Sequence, residues 1–246
     1  MGFGSRTNRG QAAVEAALTL PLTVFMVLGT LQLFLMLQAR LLAEHAAFNA
    51  ARTGSLSQGS CVRMRHAAIL TLLPAFARAD TPERVAAAFD LRKTNTFVPA
   101  DRAAGDIVWL DTQLQGNPDR SKPEDLSFDD PDRAQVLRLV VRLTFWCPLR
   151  IPFANWVIAR SVLAAWGLQP YTGVNPLEPA AKATWTTDVN GAPAAAGADV
   201  RATFKARAGN PAGTYVFPIH ASAERRMMTA PRFSATHLGP ADGRCQ

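Results

Sequence analysis

Glu15 is the residue whose type and position most strongly indicate a chemical role. It lies at the entry to a long apolar run, within RGQAAVEAALTLPL. A carboxylate near or inside hydrocarbon is costly, so such residues usually have a partner and a function. The other interpretation is an interfacial glutamate that interacts favourably with the dipole at a helix N-terminus. Both interpretations give this carboxylate an electrostatic role at the start of a helix.

Residues that could support catalysis are scattered along the sequence. None of the four histidines has HExxH or another two-histidine ligand spacing, which favours surface or packing roles. They are His45, His66, His220 and His237. The sequence contains no GxSxG, Walker or GxGxxG motif. Ser222 lies two residues after His220, and such same-strand neighbours do not easily form a nucleophile–base pair. We therefore expect a protein that is not an enzyme and has no cofactor.

An acidic cluster offers an alternative with metal chemistry. Its members are Asp125, Asp129, Asp130 and Asp132, which could present oxygen ligands to calcium. Their spacing is not that of an EF-hand. An acidic, solvated loop over residues 117–133 is therefore favoured, no metal site is predicted, and ion binding by this loop stays an open question.

The formal net charge of +7 arises mostly from scattered arginines, among them Arg63, Arg65, Arg138, Arg142, Arg225 and Arg226. Nucleic-acid-binding proteins usually concentrate such charge on one helix or stripe. Here acidic residues interrupt it, so we expect a mixed, solvated surface and no nucleic-acid partner.

The three cysteines are Cys61, Cys147 and Cys245, and none lies within metal-motif spacing of another. Outside the cytoplasm, one disulfide with one remaining thiol is the expected state. The sequence leaves all three pairings open. For Cys147, which lies in an apolar run, a buried free thiol is an equally favoured interpretation.

The element that must position Glu15 is an apolar helix. Residues 16–37 carry no charge over 22 positions. At about 1.5 Å per residue such a helix spans a hydrocarbon core of about 30 Å. A buried globular helix is the alternative, but this run is apolar on all faces. The sequence predicts one transmembrane helix in contact with the lipid bilayer.

The flanks of this run predict its orientation. Arg6 and Arg9 precede it, which places the N-terminus in the cytoplasm and the C-terminal part across the membrane, although Arg40 follows. A removable signal sequence is disfavoured because the run is too long and no A-x-A site lies between Leu37 and Ala51. The helical pattern continues to Gly54, a natural stop. Residues 11–54 are therefore predicted to form one rod, first membrane-like and then amphipathic.

The start of the chain resembles the type IV prepilin processing motif. Arg9-Gly10 ends a basic leader, and Glu15 is the fifth residue after Gly10. The resemblance implies that a prepilin peptidase removes residues 1–10, cleaving between Gly10 and Gln11. It also implies that Glu15 pairs with the Gln11 amine of a neighbouring subunit during assembly. Such a buried polar pair fixes register in helical assemblies.

The wider segment is similar to TadE-like minor pseudopilins of tight-adherence (Flp, type IVc) pilus systems. The similarity rests on RGQAAVEAALTLPLTVFMVLGTLQL followed by QARLLAEHAAFNAART, including Pro21 in the first half of the helix. Gln11 departs from the Phe that begins most mature type IV pilins. Beyond residue 54 the similarity weakens.

Residues 55–246 are predicted to form an α+β head, with helices packed on a small antiparallel sheet. Helices are predicted over residues 61–78, 82–89 and 157–166, the second with Thr81 as its cap and Pro82 at its first position. On the first, Val62, Ile69, Leu70, Leu73 and Phe76 are expected to face inward. Strands are predicted over residues 138–152, 199–207 and 215–228, turns over residues 191–198 and 209–213, and a flexible tail from residue 230.

Three function classes follow. The first is a minor pilin or pseudopilin that takes part in assembly, priming or tip formation of a Tad-type pilus used in adhesion or secretion. Its partners would be the peptidase, other pilins and minor pilins, and the inner-membrane assembly platform. The second is a signal-anchored protein whose head binds a periplasmic partner or ligand. The third is a membrane-tethered enzyme, which is disfavoured because the sequence contains no catalytic motif. The expected location is the bacterial inner membrane, with the head in the periplasm and possible incorporation into a surface pilus left open.

Overall fold

A single helix, α1, runs from Asn8 to Leu56 over 49 residues, which corresponds to about 73 Å. It belongs to a computed structural model that describes residues 8–115, 137–166, 198–208, 215–234, 236–238 and 243–245, without the side chains of residues 8–12, 198, 243 and 244. The predicted rod is therefore confirmed, with two further residues after Gly54. The predicted α+β class is confirmed as well.

The second half of α1 packs into the head through an alanine face. Six alanines are almost completely buried: Ala39, Ala43, Ala46, Ala47, Ala50 and Ala51. Leu41 is instead exposed, and Phe48 is partly exposed beneath the guanidinium of Arg225. Small side chains let neighbouring backbones approach closely, so the packing face of α1 consists of its smallest apolar residues rather than its largest.

Helix α2 spans Cys61–Phe76 and returns along α1. Asn49 donates to the Thr71 hydroxyl at 3.1 Å, and Gly54 lies against Met64, so the two helices are antiparallel. The predicted inward positions Ile69, Leu73 and Phe76 are buried. The predictions for Val62 and Leu70 are wrong, because both side chains are exposed on the far side of this helix.

Helix α3 spans Pro82–Asp90 and begins as predicted. The Thr81 hydroxyl accepts from the Arg84 amide, and Pro82 occupies the first position, where a missing N–H costs nothing. A short 3₁₀ turn follows at Pro99–Asp101.

The sheet has four antiparallel strands in the order β3-β2-β1-β4. They are β1 at Val108–Gln115, β2 at Arg138–Pro148, β3 at Val216–Arg226 and β4 at Gly243–Arg244. Leu143 in the centre pairs with Leu110 on β1 and with Ala221 on β3. The strands predicted over residues 138–152 and 215–228 are confirmed, whereas β1 has no counterpart among the predicted elements.

Two helices complete the described head. Helix α4 at Ala154–Ala165 confirms the predicted short helix, and α5 lies at Ala198–Ala208. The strand predicted over residues 199–207 is wrong. Val200, Phe204 and Ala208 are the buried positions, and a spacing of four fits a helix as well as a strand. The helix is favoured by the alanine content of the segment, by an acidic residue in its first turn and by basic residues in its last turn.

The end of the chain is attached to the head at several points. Cys245 forms a disulfide with Cys61, 184 residues away, and Leu238 is buried against Gly59. The Cys61 amide donates to the carbonyl of Thr236 at 3.1 Å. The tail predicted from residue 230 is therefore anchored wherever it is described. Residues 117–133, 191–197 and 209–213 carry predictions that lie outside the described residues.

The close contact at Gly54 predicts a cost for adding one methyl group. A Cβ there would overlap Met64 and would lie 2.6 Å from Leu139 Cδ2, both within the core. We expect Gly54→Ala to lower the free energy of unfolding of the head by roughly 1–3 kcal/mol. Gly29→Ala, where a Cβ meets nothing within 4 Å, is the matched control. Denaturant titration of detergent-solubilised protein measures both, and equal stability of the two variants would contradict the packing described here.

The cysteine arrangement predicts a second outcome. Burial raises the pKa of the Cys147 thiol to about 12, and the thiolate is the reactive form. Native protein should therefore take up no alkylating reagent, unfolded unreduced protein one equivalent, and reduced unfolded protein three. Mass spectrometry counts the adducts. Cys147→Ala should abolish the single adduct; if the adduct persists, the disulfide has been assigned to the wrong pair.

Candidate membrane anchor and assembly site

The first half of α1 is an uncovered apolar surface. Every described side chain from Ala13 to Val24 is exposed, including Leu18, Leu20 and Leu22. Within the described residues, this helix is the one long and apolar enough to cross a membrane. Exposing a contiguous apolar surface of this size to water costs free energy. The first half of α1 therefore requires contact with lipid or with a protein partner.

The polar groups of this half are largely satisfied within the helix. The hydroxyls of Thr19, Thr23 and Thr30 each donate at 2.9 Å to a backbone carbonyl three or four residues earlier. Such back-bonding removes free donors from a surface that meets hydrocarbon. Pro21 lies within this helix and lacks the N–H that would bond to the fourth carbonyl before it.

Glu15 differs from its neighbours. Its side chain is exposed, and among the described residues no hydrogen bond or ion pair reaches its carboxylate. The carbonyl of Glu15 accepts the Thr19 hydroxyl, so its backbone is held in the helix. Among the described residues, this chain therefore supplies no partner for the Glu15 carboxylate.

Gly10 and Gln11, the predicted cleavage positions, lie in the first turn of α1, with Glu15 one turn beyond Gln11. Residues four apart lie on the same face of a helix. The structure therefore brings the three predicted site residues onto consecutive turns of one helix. Their proposed roles in cleavage and pairing stay predictions.

A contact that sequence analysis missed joins the apolar half of α1 to the head. Gln32 is only 1% exposed, and its Oε1 accepts the amide of Ile151 at 3.0 Å. One further point of contact lies two turns lower, where the rings of Phe25 and Phe153 meet edge to face at 5.9 Å. The signal in the sequence was Gln32 itself, a lone amide inside an uncharged apolar run.

The four histidines, for which no catalytic role was predicted, lie apart from one another on α1 and the head. His45 is exposed, His66 packs on Phe89, and the ring of His237 lies against Ser234. His220 contacts the Thr144 hydroxyl at 3.1 Å rather than Ser222. Burial lowers the pKa of His220, and the nearby charge of Asp111 opposes this effect.

The acidic residues predicted to form a solvated loop, Asp125, Asp129, Asp130 and Asp132, lie outside the described residues. Across the described ranges no three His, Cys, Asp or Glu side chains are grouped to hold a metal ion.

A basic cleft of about 590 Å³ opens beside the end of α2. Five arginines line it: Arg78, Arg84, Arg92, Arg102 and Arg150. Arg92 forms a buried, two-armed ion pair with Asp101, with N–O distances of 2.9 and 2.5 Å. Arg84 pairs with Asp80, whose pKa is lowered by that bond. The cleft therefore keeps an excess of positive charge.

Comparison with known proteins identifies the N-terminal segment. Residues 10–52 match the family model described as TadE-like protein. The predicted resemblance is confirmed over this segment, which begins at Gly10 and includes Gln11 and Glu15. A comparison with curated proteins found no match, and neither did one with solved structures. The match indicates a protein associated with a Tad-type pilus, and the head lies almost entirely beyond it.

Proposed function

We propose that this protein is a minor pilin or pseudopilin of a Tad-type pilus. It is held in the inner membrane by α1 and processed between Gly10 and Gln11 before it takes part in assembly, priming or tip formation. The observation that carries the proposal is the position of Glu15. Its carboxylate is unpaired within the described chain, on an uncovered apolar helix that matches the TadE-like family.

Cleavage would create the missing partner for this carboxylate. Removing residues 1–10 turns the backbone nitrogen of Gln11 into a charged amine at the end of an apolar helix. Both charges are costly in hydrocarbon while they are separate, and pairing offsets that cost. Pairing between neighbouring subunits would fix the axial position of one α1 against the next.

The proposed cleavage point also lies where the helix can unwind at low cost. Gly10 lies in the first turn of α1, where the helix has few hydrogen bonds to lose. Glycine is less favourable in a helix than alanine by about 1 kcal/mol, which eases unwinding of that turn. A prepilin peptidase at the cytoplasmic face could then reach an extended peptide.

The disulfide supports a head outside the cytoplasm. Cys61 and Cys245 form a disulfide. Disulfides form and persist in oxidising compartments, such as the bacterial periplasm. Arg6 and Arg9 ahead of α1 favour a cytoplasmic N-terminus by the positive-inside rule. Two independent observations therefore support the same orientation. In it, the partners are the peptidase, other pilins and minor pilins, the assembly platform and the lipid bilayer.

The basic cleft favours a second candidate function. A membrane-anchored protein whose head binds an anionic periplasmic ligand would use a concave site with excess positive charge. Arg78, Arg102 and Arg150 all line the cleft, and of these Arg78 acts electrostatically on the Asp80 carboxylate. An intact N-terminus together with ligand binding would favour this function over pilus assembly.

Processing is tested by changing the residue before the cleavage point. Gly10→Leu should leave full-length protein, because the bulky side chain obstructs access to the peptide bond. Intact mass of membrane-extracted protein distinguishes Met1 from Gln11 as the first residue. Gly4→Leu, in the same leader, is the control and should be cleaved normally. A wild-type chain that keeps Met1 in cells with a functional pilus would rule out processing.

The assembly role is tested at the carboxylate. Glu15→Gln removes one member of a buried charge pair, which typically costs on the order of 3–5 kcal/mol. We expect normal cleavage and membrane abundance but loss of co-purification with the pilus or its minor pilins. Glu44→Gln is the matched control, because Glu44 forms an exposed pair with Arg40 on the same helix, of a kind worth about 0.3–0.5 kcal/mol. Normal recovery of partners with Glu15→Gln would show that this carboxylate has no assembly role.

A further inference from the structure

The part of α1 before Phe25, the first described position in contact with the head, is too short to cross a bilayer alone, although the other faces of α1 stay exposed well beyond it. From Ala13 to Val24, where every side chain is exposed, there are 12 residues. They span about 18 Å, whereas a hydrocarbon core of about 30 Å needs about 20 residues. Any tilt of the helix increases the number of residues required.

The bilayer must therefore extend along the part of α1 that contacts the head. Twenty residues counted from Ala13 end at Gln32, and twenty counted from Gln11 end at Thr30. Both stretches include Phe25. The level of Phe25 on α1 consequently lies within the hydrocarbon core, and whatever packs beside it lies there too.

The head segment at this level is formed by residues 151–156, which we call the aromatic turn. Its Ile151 amide bonds to Gln32, and its Phe153 ring packs on Phe25. These two positions on α1 are seven residues apart, or about 10 Å along the helix axis. The aromatic turn thus extends down α1 from the head towards the centre of the membrane.

The surface of the aromatic turn is apolar. Phe153 is 62% exposed and Trp156 is 49% exposed. The segment carries no charge between Arg150 and Arg160. Asn155 uses its side chain internally, donating to the Leu149 carbonyl and accepting from the Trp156 amide. Exposed aromatic rings with internally satisfied polar groups are typical of segments at a membrane interface.

We propose that the aromatic turn lies in the outer leaflet of the bilayer, so that the head makes a second lipid contact beside α1. The proposal rests on the proposed membrane anchorage of α1. Lipid is the occupant because this surface is continuous with the uncovered face of α1, which needs lipid before any other subunit is present. The Arg150 guanidinium donates to the Phe76 carbonyl just above the turn, where the charged part of the head begins.

This contact fixes the height of the head. Phe153 has a positive φ of 72°, a conformation that bulky residues rarely adopt, and its ring faces α1. With two points of contact in the membrane, the head cannot swing freely about α1. It is held close to the bilayer surface.

Nitroxide labels on the full-length protein in liposomes test the proposal. In a Cys147→Ala background that keeps the disulfide, single cysteines are placed at Leu22, Phe153 and Met228. Met228 is 62% exposed, like Phe153, but lies at the opposite end of the head near Ser55. We expect the ratio of oxygen to nickel-chelate accessibility at Leu22 and at Phe153 to exceed that at Met228 several-fold. Trp156→Cys provides a second label should Phe153→Cys disturb the turn.

The outcomes separate the two proposals. A Phe153 label as accessible to the nickel chelate as the Met228 label, with Leu22 protected, overturns the lipid contact and keeps the anchor. A water-accessible Leu22 label overturns the anchor itself. Spin–spin broadening at Phe153 that disappears on dilution with lipid would show that a second copy, rather than lipid, covers the aromatic turn, and would also overturn the proposal.

Discussion

One continuous helix has to suit two different solvents, and the rest of the structure depends on how it does so. The first half of α1 is apolar on all sides and bonds its threonine hydroxyls internally, so it presents few polar groups to hydrocarbon. The second half is polar on one side and lined with alanine on the other. No loop or hinge separates the halves, so the position of one fixes the position of the other.

The alanine face explains how the head is attached. Helix α2 and strands β2 and β3 all pack on α1, and a close approach is possible because the contacting side chains are small. Gly54 is the extreme case, since even a methyl group would overlap its neighbours. The disulfide then joins the start of α2 to the end of the chain, next to β4. The long connection between them is thereby closed by a covalent bond, which restricts the unfolded chain.

Two kinds of charged group have different roles in the head. The pair Arg92–Asp101 is buried and holds the segment between α3 and β1, where removing one partner would leave an uncompensated charge. Arg78 and Arg102 instead line the basic cleft. Arg150 also lines this cleft and directly precedes the aromatic turn, so a basic surface and an apolar surface adjoin on the head.

The sequence by itself determined the features that depend on local composition. The uncharged run, its length, the spacing of Gly10 and Glu15, the Thr81 cap and the strands β2 and β3 can all be predicted without coordinates, because each follows from residues close together in the chain. Hydrophobicity and turn chemistry act locally, and so the anchor, the TadE-like segment and the α+β class were predictable.

Only the tertiary structure decided which distant residues meet. The pairing of Cys61 with Cys245, the burial of alanines rather than Leu41, and the bond from Ile151 to Gln32 depend on contacts far apart in sequence. Segment 199–207 carries a pattern that suits either a strand or a helix, and packing of Phe204 against Trp166 and Phe217 accompanies the helix. The reason is physical: burial is a property of the surroundings of a side chain, and those surroundings come from the whole fold.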